Sequence, residues 1–125
     1  MNYQGSYCAI ITPFKNGSVD RDSLKNIIKW HIKNGTKGII PCGTTGESPT
    51  LSHEEHKSVV ELAIEYSENK LSVIAGTGSN STNEAVSFTK HAKSAGADSA
   101  LVVVPYYNKP SQSGLKEHYL KIADS

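Results

Sequence analysis

The chain has 125 residues, 13 Lys and Arg against 12 Asp and Glu, 37% apolar residues, 2 Cys and a formal charge of +1. No apolar run approaches the roughly 20 residues that span a bilayer, two cysteines make no disulfide scaffold, and the even charge excludes a strongly basic nucleic-acid binder. The length admits one domain that buries roughly two-thirds of the surface its unfolded form exposes, and partners must be argued from local sites. The opening MNYQGSYCAI lacks a charged segment followed by a long apolar one, so no signal peptide is expected. Cys8 and Cys42 lie inside apolar runs and are expected to be buried, reduced thiols of a cytoplasmic protein.

Four short apolar runs recur in chain order: 7–12 (YCAIIT), 38–41 (GIIP), 72–75 (SVIA) and 100–105 (ALVVVP). Their apolar length predicts parallel strands buried on both faces. Each run is followed by a helix-length amphipathic stretch. After the first, Asp20 or Asp22 caps a helix with Leu24, Ile27, Ile28 and Ile32 on one face, ended by Asn34-Gly35. The second helix opens with Ser52-His-Glu-Glu55, a capping box, buries Val59, Val60 and Ala63, and runs out at Glu68-Asn69. The third opens with the same pattern, Ser81-Thr-Asn-Glu84, aligns Ala85, Phe88, Ala92 and Ala95, and stops at Gly96. The fourth begins near Ser113-Gly114 with Leu115, Tyr119 and Ile122 in register and shows no stop signal.

Strands spaced roughly thirty residues apart are βαβ units, and right-handed crossovers make all four parallel. An α/β fold follows, in one of two forms: a small doubly wound domain, or about the first four βα units of a (β/α)8 barrel, which needs about 250 residues. The uncapped fourth helix favours the barrel, with residues 1–125 as its amino-terminal half.

Both architectures bind ligands at the carboxyl ends of the strands, which directs attention to segments 12–14, 43–48, 76–81 and 106–114. Gly43-Thr44-Thr45-Gly46-Glu47-Ser48 puts two adjacent hydroxyls on a turn whose flanking glycines permit positive φ, so that backbone amides can face a carboxylate or phosphate. The competing reading is an ordinary turn with the Thr hydroxyls bonded to their own backbone. The turn lacks the Gly-Lys-Ser/Thr of a Walker loop, and 76–81 lacks the third glycine of a dinucleotide fingerprint. Tyr106 and Tyr107 follow the most apolar strand, where a phenol can relay protons or pack at a barrel mouth or subunit contact. His53 and His56 are three apart, without the spacing of a His-Glu-x-x-His zinc site, and His31, His91 and His118 are expected to be surface or satisfied side chains. Apart from Arg21 the 13 basic residues are lysines, none inside an apolar strand, so the chain offers no desolvated amine for a Schiff base.

Taken together, Ala9-Ile10-Ile11-Thr12-Pro13-Phe14, Gly43-Thr44-Thr45-Gly46-Glu47, Ile74-Ala75-Gly76-Thr77-Gly78 and Pro105-Tyr106-Tyr107-Asn108-Lys109-Pro110 resemble the dihydrodipicolinate synthase family of pyruvate-dependent aldolase barrels. The Thr44-Thr45 pair separates it from the sister N-acetylneuraminate lyases, which usually show Gly-Ser-Thr-Gly-Glu. The resemblance implies condensation of pyruvate with aspartate semialdehyde through a Schiff base in lysine biosynthesis, with no metal or organic cofactor, in a cytoplasmic homo-oligomer. It places Thr44 and Tyr107 in a proton relay, Tyr107 reaching a neighbouring subunit, and Thr45 at the pyruvate carboxylate. Ser48, Pro49, His53, His56, Asn80, Glu84 and Tyr106 match positions that bind the feedback inhibitor lysine, with Pro49 in place of a small residue and without its amide donor. The family's Schiff-base lysine, a third relay tyrosine and a substrate-binding arginine would all fall after Ser125, so the 125 residues alone are expected to be inactive. The alternatives are a sister aldolase, a split enzyme completed by another chain, and a non-catalytic anion-binding module.

Overall fold

The computed structural model describes residues 3–125. In chain order it contains β1 (Tyr7–Ala9), β2 (Phe14–Lys15), β3 (Ser18–Val19), α1 (Arg21–Lys33), β4 (Gly38–Ile40), α2 (His53–Ser67), β5 (Ser72–Gly76), α3 (Thr82–Ala95), β6 (Ser99–Leu101) and α4 (Gln112–Ala123). The four predicted strands form one parallel sheet in the order β1-β4-β5-β6. Because the order never reverses, successive right-handed crossovers step in one direction and leave the helices on one face. Accordingly α1 packs on α2, α2 on α3 and α3 on α4. A doubly wound sheet needs a reversal, so this is the barrel form of the α/β class.

The helix signals act at the residues where the sequence puts them. Asp20 caps α1 by accepting from the Ser23 amide and hydroxyl, and Asn34 ends it with Gly35 at φ 76°. Ser52 and Glu55 form the full capping box of α2, each side chain bonded to the other's amide. Glu68 and Asn69 leave α2 at φ 50° and 56°. At α3 only half of the expected box exists: Ser81 accepts from the Glu84 amide, but the Ser81 amide donates to the Ser79 hydroxyl at 3.0 Å, and the Glu84 side chain turns elsewhere. Ser111 caps α4, which begins at Gln112, just ahead of the expected start near Ser113-Gly114, and the helix closes at Asp124, whose amide reaches the Leu120 carbonyl at 2.9 Å.

The core lies between the sheet and its helices: Leu24, Ile28, Val59, Val60 and Ala63 pack against Ile39, Val73 and Ala75. Each large aliphatic residue buried there stabilises the fold by roughly 1.5–3 kcal/mol. The expectation of strands buried on both faces fails on the other side. Ile11, Leu101, Val103 and Val104 are exposed, because only alternate positions such as Ile10, Ile39 and Val73 meet the helices. The ladders are also shorter than the apolar runs. Beyond Leu101 the fourth run has no strand to pair with among the described residues, so 102–105 leave the ladder.

The β2–β3 hairpin was not expected. Asn16 and Gly17, at φ 53° and 77°, make the two-residue turn that an Asn-Gly pair favours. No helix among the described residues is long and apolar enough to cross a membrane.

Gly76 is packed backbone to backbone: a Cβ there would sit 2.1 Å from the Cys42 carbonyl oxygen and 2.8 Å from the Gly43 amide nitrogen. Gly76→Ala is expected to cost about 3 kcal/mol or more, because two backbone segments must separate. At Gly17 no atom lies within 4 Å of a Cβ, and Gly17→Ala should cost about 1 kcal/mol from its positive φ alone. Urea unfolding of the two variants checks the difference, and equal midpoints would contradict the packing argument.

Candidate active site

The turn after β4 is built by close backbone approach. Its left-handed residues are Cys42 at φ 55° and Glu47 at φ 58°, flanking the turn, while Gly43 and Gly46 have negative φ. This corrects the expectation that the glycines serve by adopting positive φ. At Gly46 a Cβ would come within 3.2 Å of the Cys42 Cα and the Ile10 carbonyl oxygen, so the missing side chain is what lets the turn settle on β1. The Gly46 amide donates to the Gly43 carbonyl at 3.0 Å, Glu47 to Thr44 at 3.1 Å and Ser48 to Gly43 at 3.4 Å. Those three amides are therefore engaged within the turn.

The hydroxyls of Thr44 and Thr45 make no hydrogen bond among the described residues, and both residues are exposed. The ordinary-turn reading, with these hydroxyls bonded to their own backbone, does not describe them. The polar groups the turn offers are those of the Thr pair. Under them Cys42 is buried, and desolvation pushes its thiol up to about 12, which makes it a packing residue and not a nucleophile. Cys8, expected to be buried, is only half-buried; both thiols are free.

A cavity of about 430 Å³ opens beside the turn, lined by Cys42, Gly43, Thr44, Ser48, Pro49, Gly76, Gly78, Tyr106 and residues 101–103. It brings Thr44 together with Ser48, Pro49 and Tyr106. Thr45 is not part of its wall. Neither is Tyr107, which sits at φ 69° with 92% of its surface exposed, between a Tyr106 carbonyl and an Asn108 amide 2.9 Å apart. That is the strained form of the γ-turn, and it holds a non-glycine residue whose side chain stands in solvent. Pro49 is the second residue of a short 3-10 helix, Ser48–Thr50, where a missing amide leaves no gap in the bonding.

A second polar cluster lies where α2 meets α3. The Glu84 carboxylate accepts from the Ser79 hydroxyl and pairs with His53 Nε2 at 2.5 Å. Burial raises its pKa, but the bonds from Ser79 and His53 outweigh this and leave it below the usual carboxylate range. Asn80 contributes its carbonyl, which accepts from the Asn108 side chain at 3.2 Å. His56, expected beside His53, is turned inward: it is 1% exposed, stacked on Phe88 at 3.9 Å, with Nε2 2.9 Å from the Gly76 carbonyl. The remaining histidines are paired, His31 with Thr36, His91 with Glu61 and His118 with Thr82. No group of three metal-ligating side chains gathers among the described residues.

The sequence profile of the dihydrodipicolinate synthetase family matches residues 2–125. The chain belongs to that family. The 4-hydroxy-tetrahydrodipicolinate synthase of Syntrophobacter fumaroxidans is 60% identical over 121 residues, 97% of this chain and 42% of that protein. The chloride-inhibited dihydrodipicolinate synthase of Acinetobacter baumannii, complexed with pyruvate, superposes with a TM-score of 0.94 at 52% identity, covering 98% of this chain and 43% of that one. The enzyme of Cyanidioschyzon merolae with lysine bound gives 0.91 at 40% identity, covering 96% and 42%. The chain thus spans about two-fifths of the length of the dihydrodipicolinate synthases it matches.

Relative to that family the lysine census holds in three dimensions. None of the chain's lysines is buried; Lys25 and Lys57 are half-buried and the others are exposed. Sequence reasoning missed two contributors. Ser79 gave a signal, a hydroxyl two residues before the Ser81 cap, able to compete with Glu84 for its amide. Thr12 lay in a segment singled out by its place after β1, but nothing in the sequence pointed to its partner, the Gly46 carbonyl.

Burial drives the pKa of His56 down to about 4, with the Gly76 bond opposing. The unfolded chain, with an ordinary value of about 6.5, then binds the extra proton between the two, so the contribution of neutral His56 is complete above about pH 6.5 and is lost as pH falls toward 4. About 3 kcal/mol of stability is expected to disappear over that window. Urea unfolding at pH 7 and pH 4.5 checks it: His56→Gln should show a shallower loss, and an identical slope in both proteins would refute the assignment.

Proposed function

We propose that residues 1–125 are the amino-terminal half of a (β/α)8 catalytic domain that condenses pyruvate with aspartate semialdehyde through a Schiff base, in lysine biosynthesis. The observation that carries this reading is the turn at 43–48, whose Thr44 and Thr45 hydroxyls have no partner of their own at the carboxyl end of the sheet. Thr45 holds the pyruvate carboxylate by hydrogen bonds from groups that the turn leaves unused. Thr44, on the cavity wall, passes protons together with Tyr107. The outward aim of Tyr107 supports a relay completed across a contact with a second copy, and hence a homo-oligomer. The reaction needs no metal or organic cofactor, since its electron sink is the iminium formed on a lysine.

That lysine comes from the part of the barrel that completes this half. A Schiff-base amine works from a desolvated pocket, and none of this chain's lysines is buried. The Glu84, His53, Asn80 and Tyr106 group, with Ser48 and Pro49 nearby, is the site for feedback by lysine: a carboxylate held ionised by Ser79 and His53 suits a ligand bearing ammonium groups. His56 supports that group from behind Phe88. The free thiols of Cys8 and Cys42 suit a cytoplasmic setting.

Incubation of the 125-residue chain with pyruvate and borohydride, read by intact mass, is expected to leave the mass unchanged. A stable pyruvyl adduct on any lysine of this chain would overturn the assignment of the Schiff base to the other half.

A further inference from the structure

Thr12 stands in the segment between β1 and β2, buried to 3% of its surface, and its hydroxyl donates to the Gly46 carbonyl at 2.8 Å. Among the described residues this is the one hydrogen bond that reaches 43–46 from outside the turn; the other bonds of that segment run within 43–48. The internal bonds give the turn its shape, but they leave its position over the sheet open. That position is set by Gly76 packed on Cys42 and Gly43 and, at the other end of the turn, by Gly46 against the segment after β1, with the Ile10 carbonyl facing the place a Cβ would take and the Thr12 hydroxyl on the Gly46 oxygen. Thr12 takes no part in the cavity wall.

We propose that Thr12 is a positioning residue for catalysis: through Gly46 its hydroxyl fixes where Thr44 and Thr45 stand over the carboxyl end of the sheet. The inference rests on the reading of the turn as the pyruvate carboxylate site. A turn entered and left through left-handed Cys42 and Glu47 has a strained backbone, and such a conformation persists only when its surroundings over-determine it. Thr12 supplies one of those constraints from the segment that follows β1. A Val in its place keeps the shape, deletes the donor and leaves a buried carbonyl unpaired.

Two measurements test this. In the complete barrel, Thr12→Val should raise the pyruvate KM about tenfold and lower kcat about tenfold, since both threonines are displaced, while Thr12→Ser stays within about twofold of the parent. In the 125-residue chain, amide hydrogen exchange at Gly46, Glu47 and Ser48 should quicken about tenfold in Thr12→Val and not in Thr12→Ser, with the α2 amides unmoved. If Thr12→Val does not fold, the Ser and Ala variants carry the same comparison, Ser keeping the donor and Ala losing it.

Kinetic constants and exchange that are the same with and without the donor would overturn the proposal. Thr45→Val separates it from the reading beneath it. If Thr45→Val leaves the pyruvate KM unchanged, the carboxylate reading fails, and the exchange rates alone decide whether Thr12 positions the turn. If Thr45→Val raises KM while Thr12→Val changes neither constant nor exchange, only the role of Thr12 falls.

Discussion

Backbone meets backbone where the strands of this sheet end, and the rest of the site depends on that contact. At Gly76 the Cys42 carbonyl and the Gly43 amide occupy the space a side chain would take, and at Gly78 a Cβ would lie 2.3 Å from the Val103 amide nitrogen. Together with Gly46 against Ile10 and Cys42, these contacts draw the loops after β1, β4, β5 and β6 toward one place. They act by excluded volume, so no side-chain substitution elsewhere can substitute for them. In the same loops Cys42 and Glu47 hold left-handed conformations that cost of order 1 kcal/mol or more each. The strain is held by the apolar layer between the sheet and α1 to α3.

The consequence for chemistry is a division between turn atoms that are used and turn atoms that are free. Three amides close the turn on itself, and the Thr44 and Thr45 hydroxyls remain unpaired, Thr44 on the wall of a cavity. The other polar cluster works in the opposite way. Glu84, Ser79 and His53 satisfy one another, and His56 and Phe88 form an apolar floor beneath them. The turn therefore leaves two hydroxyls unpaired, and the other cluster holds a carboxylate in a fixed place. Both sit at loops or helix starts carried by the same sheet.

The elements were legible in the sequence because their signals are local. Asp20, Ser52 with Glu55, Asn34-Gly35 and Gly96 cap or end helices through bonds to residues three or four positions away. The strands were legible as runs but not as lengths, since a ladder stops where its neighbour stops, as β6 does at Leu101. Burial on one face only had the same cause: an apolar run cannot tell whether both of its faces are covered. The α3 capping box failed through competition, the Ser79 hydroxyl reaching the Ser81 amide in place of Glu84. For the site, sequence and resemblance selected the Thr44-Thr45 turn, Tyr106-Tyr107 and the His53 to Glu84 group. They did not disclose that the glycines act by bulk and not by φ, or that His56 faces the core, because both facts depend on segments far apart in the chain.

The Thr44-Thr45 turn, held in place by backbone contacts, is the proposed seat of a substrate carboxylate. A crystal structure of the complete barrel with pyruvate bound tests it most directly. The account predicts a carboxylate oxygen about 2.7–3.0 Å from the Thr45 hydroxyl or an unused amide of the turn, with Cys42 and Glu47 still left-handed. A carboxylate bound elsewhere, with the Thr hydroxyls folded back onto their own carbonyls, would contradict it.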